Sequence, residues 1–257
     1  MQFIEPETTD DIEENIRRLD SLISDADFVV LPELWNCPYD NELIKKAFSY
    51  ESQSYDAMKS AAAHHHVWLA GTIPYDHKNM AFVFDSSGQE VARYAKTHLM
   101  EVYTDKNCYR ESDVFVSGSD LCTFETPWGK FGLITCYDVR FPEMARLLAI
   151  NGISCLLVCA AFNEAVGAVQ WDALIRARAI ENEMFVLACD ARYSWKKYSG
   201  FGHSLAVDPF GRIVHEGAGI FSIDMNEVNR IRNRMPVWDV RRSDLYTLKE
   251  NSETWKK

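Results

Sequence analysis

Short apolar or β-branched runs of four to seven residues recur along this chain, with helical stretches in the intervals, and that rhythm limits its folds more than any other feature. Strands separated by helices belong to an α/β domain, not to an all-helical or all-β one. The runs predict strands at Phe28 to Leu31, Val67 to Ala70, Ala81 to Phe84, Phe131 to Thr135, Ile153 to Cys159, Phe185 to Asp190, Ser204 to Val207 and Ile220 to Asp224. Several are bounded by Gly, Pro or Asn turn signals. Helices are expected between them. One runs from about Asp10 to Ser24, where Ile12, Ile16, Leu19, Leu22 and Ile23 share a face, and a second from Tyr55 to His65. A third follows Cys136, with Pro142 and Glu143 suited to its first turn and Gly152 to its stop. A fourth spans Ala168 to Asn182. There is no internal repeat, low-complexity tract or linker, so residues 1–257 read as one domain.

Charge narrows the partners. A formal net charge of -11 opposes phosphate backbones and anionic membrane surfaces, so neither nucleic acid nor membrane is expected. No apolar run approaches the roughly 18 residues of a membrane span, and no secretory signal pattern is visible at the start, which predicts a cytoplasmic protein. The seven cysteines are unevenly spaced and mostly embedded in apolar sequence, unlike a disulfide framework.

Three residues carry the candidate chemistry. Cys136 ends the apolar run FGLIT just before a helix start, a place that can present a nucleophile and where a helix N-terminus can lower a thiol pKa from about 8.5. Taken alone it is more often a small buried hydrophobe. Glu33 ends the run FVVLP, where desolvation would raise its pKa toward that of a general base, although a loop glutamate is the plainer reading. Lys96, in YAKTHLM, either stabilises an oxyanion or is an ordinary surface lysine.

Together the segments say more. VVLPELWNCPYD, YAKTHLM and GLITCYDVRFPEMAR resemble the three signature motifs of the nitrilase-like carbon-nitrogen hydrolase superfamily, and AAFN, WDALIRARAIEN, GHSLAVDPFG and PVWDVRRSDLY extend the likeness over nearly the whole chain. The resemblance implies a four-layer α-β-β-α sandwich, with Glu33 as general base, Lys96 as oxyanion stabiliser and Cys136 as nucleophile. It adds Glu111, in CYRESDVFVSG, as a carboxylate that bonds the lysine. It also implies a homodimer or larger assembly, with the helix around Arg176 and the tail at about 234–257 as candidate contacts. The chain departs from its relatives in a short first strand, MQFIE, and in Tyr137-Asp138 after the cysteine where true nitrilases carry Trp-Glu, which turns the expectation from nitriles to amides.

The implied reaction is ammonia release from a small amide through a cysteine thioester, with no metal, nucleotide or flavin required. The backbone N–H of Tyr137 is expected beside Lys96 in holding the oxyanion. CYDVRFPE and AAFN look most similar to the ω-amidase branch, which predicts an ω-amide of a dicarboxylic or keto acid. A carbamoylase, an amidase for a peptide-like metabolite of the deaminated glutathione type, and a non-catalytic binding protein are the alternatives. Tyr39, Phe162 and Trp195 are candidate pocket residues. Arg140 either reads a substrate carboxylate or pairs with Asp138 or Glu143. Other motifs compete weakly. His64, His65 and His66 are adjacent and should diverge, GAGIFS runs into a strand, and GHSLA lacks the closing glycine of a nucleophile elbow.

Overall fold

A computed structural model describes residues 1–103, 108–196 and 198–249. The first half supplies β1 (Gln2–Phe3), α1 (Ile12–Leu22), β2 (Phe28–Val30), α2 (Asn41–Ala47), α3 (Glu51–His65), β3 (Trp68–Tyr75), β4 (Lys78–Phe84) and β5 (Glu90–Ala95). A small hairpin, β6 (Glu101–Tyr103) and β7 (Cys108–Arg110), follows, and then β8 (Cys122–Thr126), β9 (Gly129–Thr135), α4 (Pro142–Ile150), β10 (Cys155–Ala160) and α5 (Glu164–Asn182). The last part holds β11 (Phe185–Asp190), a second small hairpin of β12 (Ser194–Trp195) and β13 (Tyr198–Ser199), then β14 (Leu205–Val207), β15 (Ile213–Glu216), β16 (Gly219–Ile220) and α6 (Asn226–Arg234).

Two six-stranded sheets result, ordered β16-β1-β2-β3-β4-β5 and β15-β14-β11-β10-β9-β8. Their central strands are parallel: β1, β2 and β3 in one sheet, β9, β10 and β11 in the other. The period-two alternation of a strand decides which layer each side chain joins. In the first sheet Phe28, Val30, Ala70, Ala81 and Val83 face the second sheet, whereas Val29, Leu31, Leu69, Phe82 and Phe84 pack with Leu19 of α1 and Met58, Ala61 and Ala62 of α3. Strands β9 to β11 are buried nearly throughout because α4 and α5 cover their other face, which accounts for their unbroken apolar sequence. The expected α-β-β-α order is thus formed.

At one end of the sandwich Phe28, Trp68, Trp128 and Phe131 join the sheets through rings 5.9–6.2 Å apart. At the other, where the parallel strands end, the joint is a backbone one. The carbonyl of Ala160, the last residue of β10, accepts N–H bonds from Glu33 at 3.2 Å and from Ala191 at 2.8 Å, so a single oxygen ties the two sheets together.

The expected elements are present with shifted ends, and several went unanticipated. The strand expected at Ile220 to Asp224 is reduced to Gly219–Ile220, because its antiparallel partner β1 is only two residues long. β5, β8 and β15 lie toward sheet edges, where one polar face breaks the apolar signal. α2 and α6 are short and rich in charge. Of the tail at 234–257, residues 250–257 lie outside the described part. All seven cysteines are free, and no helix among the described residues is long and apolar enough to cross a membrane.

Trp171 connects this packing to the site. It is fully buried on α5, its indole N–H donates to the His203 carbonyl at 2.6 Å, and its ring lies 4.7 Å from that of Phe162. Trp171→Ala should lower the unfolding free energy by about 3–5 kcal/mol in urea denaturation, the range for a large aromatic removed from a closed core. Trp171→Phe should lose less, since it keeps the ring and leaves only the carbonyl unpaired. Equal losses in the two variants would show that the hydrogen bond outweighs the packing.

Candidate active site

Each candidate catalytic residue lies beyond the C-terminal end of a strand. Glu33 comes three residues after β2, Lys96 follows β5, Glu111 opens a 3-10 turn after β7, and Cys136 opens another after β9. The backbone turns sharply at two of these points. Leu34, next to Glu33, has φ 51°, and Cys136 itself has φ 46°, a left-handed conformation that costs a non-glycine residue roughly 1–3 kcal/mol. That turn sets Cys136, nearly buried, where the end of β9 meets the cavity.

The four side chains converge. The Lys96 ammonium donates to Glu33 Oε1 at 2.8 Å and to Glu111 Oε1 at 2.9 Å, with the second Glu111 oxygen at an ion-pair distance of 2.8 Å, and all three side chains are fully buried. Asn79 Nδ2 donates to the same Glu33 oxygen at 2.7 Å, and the Tyr39 hydroxyl donates to Glu111 Oε1. Glu33 Oε2 has no nitrogen or oxygen partner among the described residues, and the Cys136 thiol lies within hydrogen-bonding reach of the carboxylate.

The charges follow from this geometry. Burial raises the Glu33 pKa above its ordinary value, and the Glu111 charge adds to that, against the opposing pull of Lys96. Burial alone would lower the Lys96 pKa, but the two carboxylates outweigh it and hold the ammonium charged. The Cys136 thiol is pushed well up by burial and by the Glu33 charge, although Lys96 and the Ala161 N–H favour its thiolate. This corrects the expectation of a thiol acidified by a helix N-terminus. Residues 136–140 form a 3-10 turn, and α4 begins only at Pro142.

Cys136 opens onto a cavity of about 740 Å³. Tyr39, Tyr137, Arg140 and Phe162 line it as candidate substrate-binding residues, together with Tyr109, Asn163, Gln170 and Tyr193, which sequence reasoning missed. Trp195 is not on this wall and packs instead behind Ala161 and Tyr193. Asn79 was legible in principle, as a polar residue inside the apolar strand KNMAFVF. Arg140 does not pair with Asp138 or Glu143 among the described residues. Asp138 is already engaged by Thr135 N, Tyr94 Oη and His98, at 2.7–3.0 Å. The guanidinium donates instead to Gln170 Oε1 and lies 5.5 Å from the Tyr137 ring and 5.1 Å from the Phe162 ring.

Known proteins share this arrangement's frame. The carbon-nitrogen hydrolase family pattern matches residues 3–233. Omega-amidase NIT2 of Homo sapiens is 33% identical over 91% of this chain and 92% of its own. The crystal structure of Saccharomyces cerevisiae Nit3, described as a member of branch 10 of the nitrilase superfamily, superposes with a TM-score of 0.82 at 30% identity over 92% of this chain and 93% of that one. The Caenorhabditis elegans NitFhit protein superposes with a TM-score of 0.86 at 30% identity, covering 97% of this chain and 66% of the longer one. The chain therefore belongs to the carbon-nitrogen hydrolase family, as an amide-cleaving enzyme most similar to its ω-amidase branch.

Proposed function

We propose that this amidohydrolase releases ammonia from a small ω-amide whose far end carries a carboxylate. The observation that carries this reading is Arg140, a guanidinium on the cavity wall with no carboxylate partner among the described residues, in the same cavity as Cys136. A guanidinium held against two aromatic rings is preorganised for paired hydrogen bonds to a carboxylate.

The steps follow from the geometry. The Cys136 proton passes to the unpaired Oε2 of Glu33, and the thiolate attacks the amide carbonyl. Lys96 spends donors on Glu33 and Glu111, and an ammonium has three, so one remains for the developing oxyanion. The Tyr137 N–H is its natural companion, because the first N–H groups of a helical turn have no partner within it. Glu33 then gives its proton to the departing nitrogen, ammonia leaves, and the same carboxylate activates water against the thioester. Glu111 keeps the lysine charged and in place, and Tyr39 fixes Glu111.

A second reading is an amidase for a peptide-like metabolite of the deaminated glutathione type. The cavity of about 740 Å³ favours it, because a five-carbon amide would leave much of that space to water. Ammonia release measured across ω-amides, peptide-like amides and carbamoyl compounds separates the readings. Self-association would use α5, where Val169 and Ile180 are exposed, whereas Arg176 is engaged with the Gly211 carbonyl at 2.9 Å.

Cys136→Ala should abolish turnover with little change in the unfolding transition, and intact mass should show an acyl adduct on the native protein with a slow substrate. Turnover that survives in Cys136→Ala removes the thiol mechanism. The second test is pH. Glu33 must be ionised to act as base and its pKa is raised, so kcat/KM should rise with pH through a midpoint above the ordinary glutamate value of about 4.3. A midpoint at or below that value would contradict the assignment. Arg140→Met should penalise amides bearing a distal carboxylate more than neutral amides of equal length. The expected difference in ΔΔG‡ is about 1.5–3 kcal/mol, read from kcat/KM, and equal losses would make Arg140 structural.

A further inference from the structure

The helical layer outside the first sheet holds a group of metal-ligating side chains with no part in amide cleavage. His64 and His65 occupy the last turn of α3, and Asp20 lies on the neighbouring α1. Adjacent residues on a helix point about 100° apart, which is why the sequence predicts divergence. The two rings nevertheless meet, because α1 brings Asp20 between them and they approach it through different nitrogens. His64 Nδ1 lies 2.9 Å and His65 Nε2 3.1 Å from the same oxygen, Asp20 Oδ1, and the ring centroids are 4.7 Å apart.

The two distances to the Asp20 oxygen, those of hydrogen bonds here, are also those of neighbouring positions around a metal ion. Metal–ligand bonds of about 2.0–2.1 Å place neighbouring ligand atoms about 2.9 Å apart in an octahedron and about 3.4 Å apart in a tetrahedron. The three ligand atoms all lie within 4.8 Å of one another. The surroundings favour a cation too. The carbonyl end of α3 carries the negative end of its dipole beside the two imidazoles. Two imidazoles and one carboxylate suit zinc, nickel or copper, whereas magnesium and calcium require oxygen ligands.

We infer that Asp20, His64 and His65 form a binding site for a divalent transition ion, of the zinc or nickel class, that pins the end of α3 to α1. Water completes the coordination. The site stands on a different layer from Cys136 and its ion serves the helical layer, not the reaction. An ion that binds the folded chain and not the unfolded one stabilises it by mass action.

Calorimetric titration of the untagged, chelator-treated full chain with zinc chloride or nickel chloride tests this, with magnesium chloride as control. One zinc or nickel ion per chain should bind, raising the melting temperature with concentration, while magnesium does neither. Asp20→Asn and His65→Gln should each weaken binding by about tenfold or more, and both should keep the metal-free melting temperature and ammonia-release rate. Cys136→Ala should bind the ion as the native chain does, which distinguishes this site from capture by the thiol. The inference is overturned if zinc and nickel do not bind saturably, if Asp20→Asn and His65→Gln bind like the native protein, or if binding is lost in Cys136→Ala.

Discussion

A lysine ammonium with no contact to water is held in this protein by two carboxylates, and much of the site's architecture follows from keeping it there. Removing a charge from water costs several kcal/mol, and the cost is met only when the counter-charges are close and themselves held by hydrogen bonds. Lys96 therefore requires Glu33 and Glu111, and these in turn require Asn79 and Tyr39. Those five residues come from four separate stretches of chain. The cluster fixes where the strand ends of the first sheet and the turn after β7 must stand, and it leaves one carboxylate oxygen open where the thiol of the second sheet arrives.

In the proposed mechanism the nucleophile, Cys136, accordingly rests as a thiol. A permanent thiolate beside Glu33 would add a second uncompensated negative charge to a dry site, whereas a shared proton leaves the balance nearly even. In that mechanism activation waits for a carbonyl oxygen that can take on the charge next to Lys96. The left-handed turn at Cys136 has a corresponding role, spending conformational energy to place one sulfur atom at the junction of two sheets.

How much of this was legible depends on how far each signal travels along the chain. The buried strands and amphipathic helices announce themselves within a few residues, so β2, β9, β10, β11, α1 and α4 stand close to where periodicity puts them. Edge strands such as β5 and β15 do not, since a side facing water carries no pattern. Glu33, Lys96 and Cys136 were legible as a set only through their distinctive local sequences, because their meeting is a matter of tertiary distance. Tyr109 and Tyr193 reach the site from elements whose local sequence says nothing of a cavity, and Asn79 shows only as a polar residue in an apolar strand. The acidified thiol failed for a related reason, since a 3-10 turn and an α-helix start look alike in CYDVRFPE. The divergence expected of adjacent histidines failed because another helix supplied their common partner.

The shared carbonyl of Ala160 has a consequence for how the molecule breathes. Sheets joined only by side chains can part slightly without losing a backbone bond, but at Ala160 any separation must break an amide hydrogen bond beside the reacting groups. Local opening should thus begin at the aromatic end, around Trp68 and Trp128, and die out before it reaches the catalytic end. In hydrogen exchange the amide of Glu33 would then trade its proton only when the two sheets part at that end, so that the proposed catalytic corner is also the slowest to open.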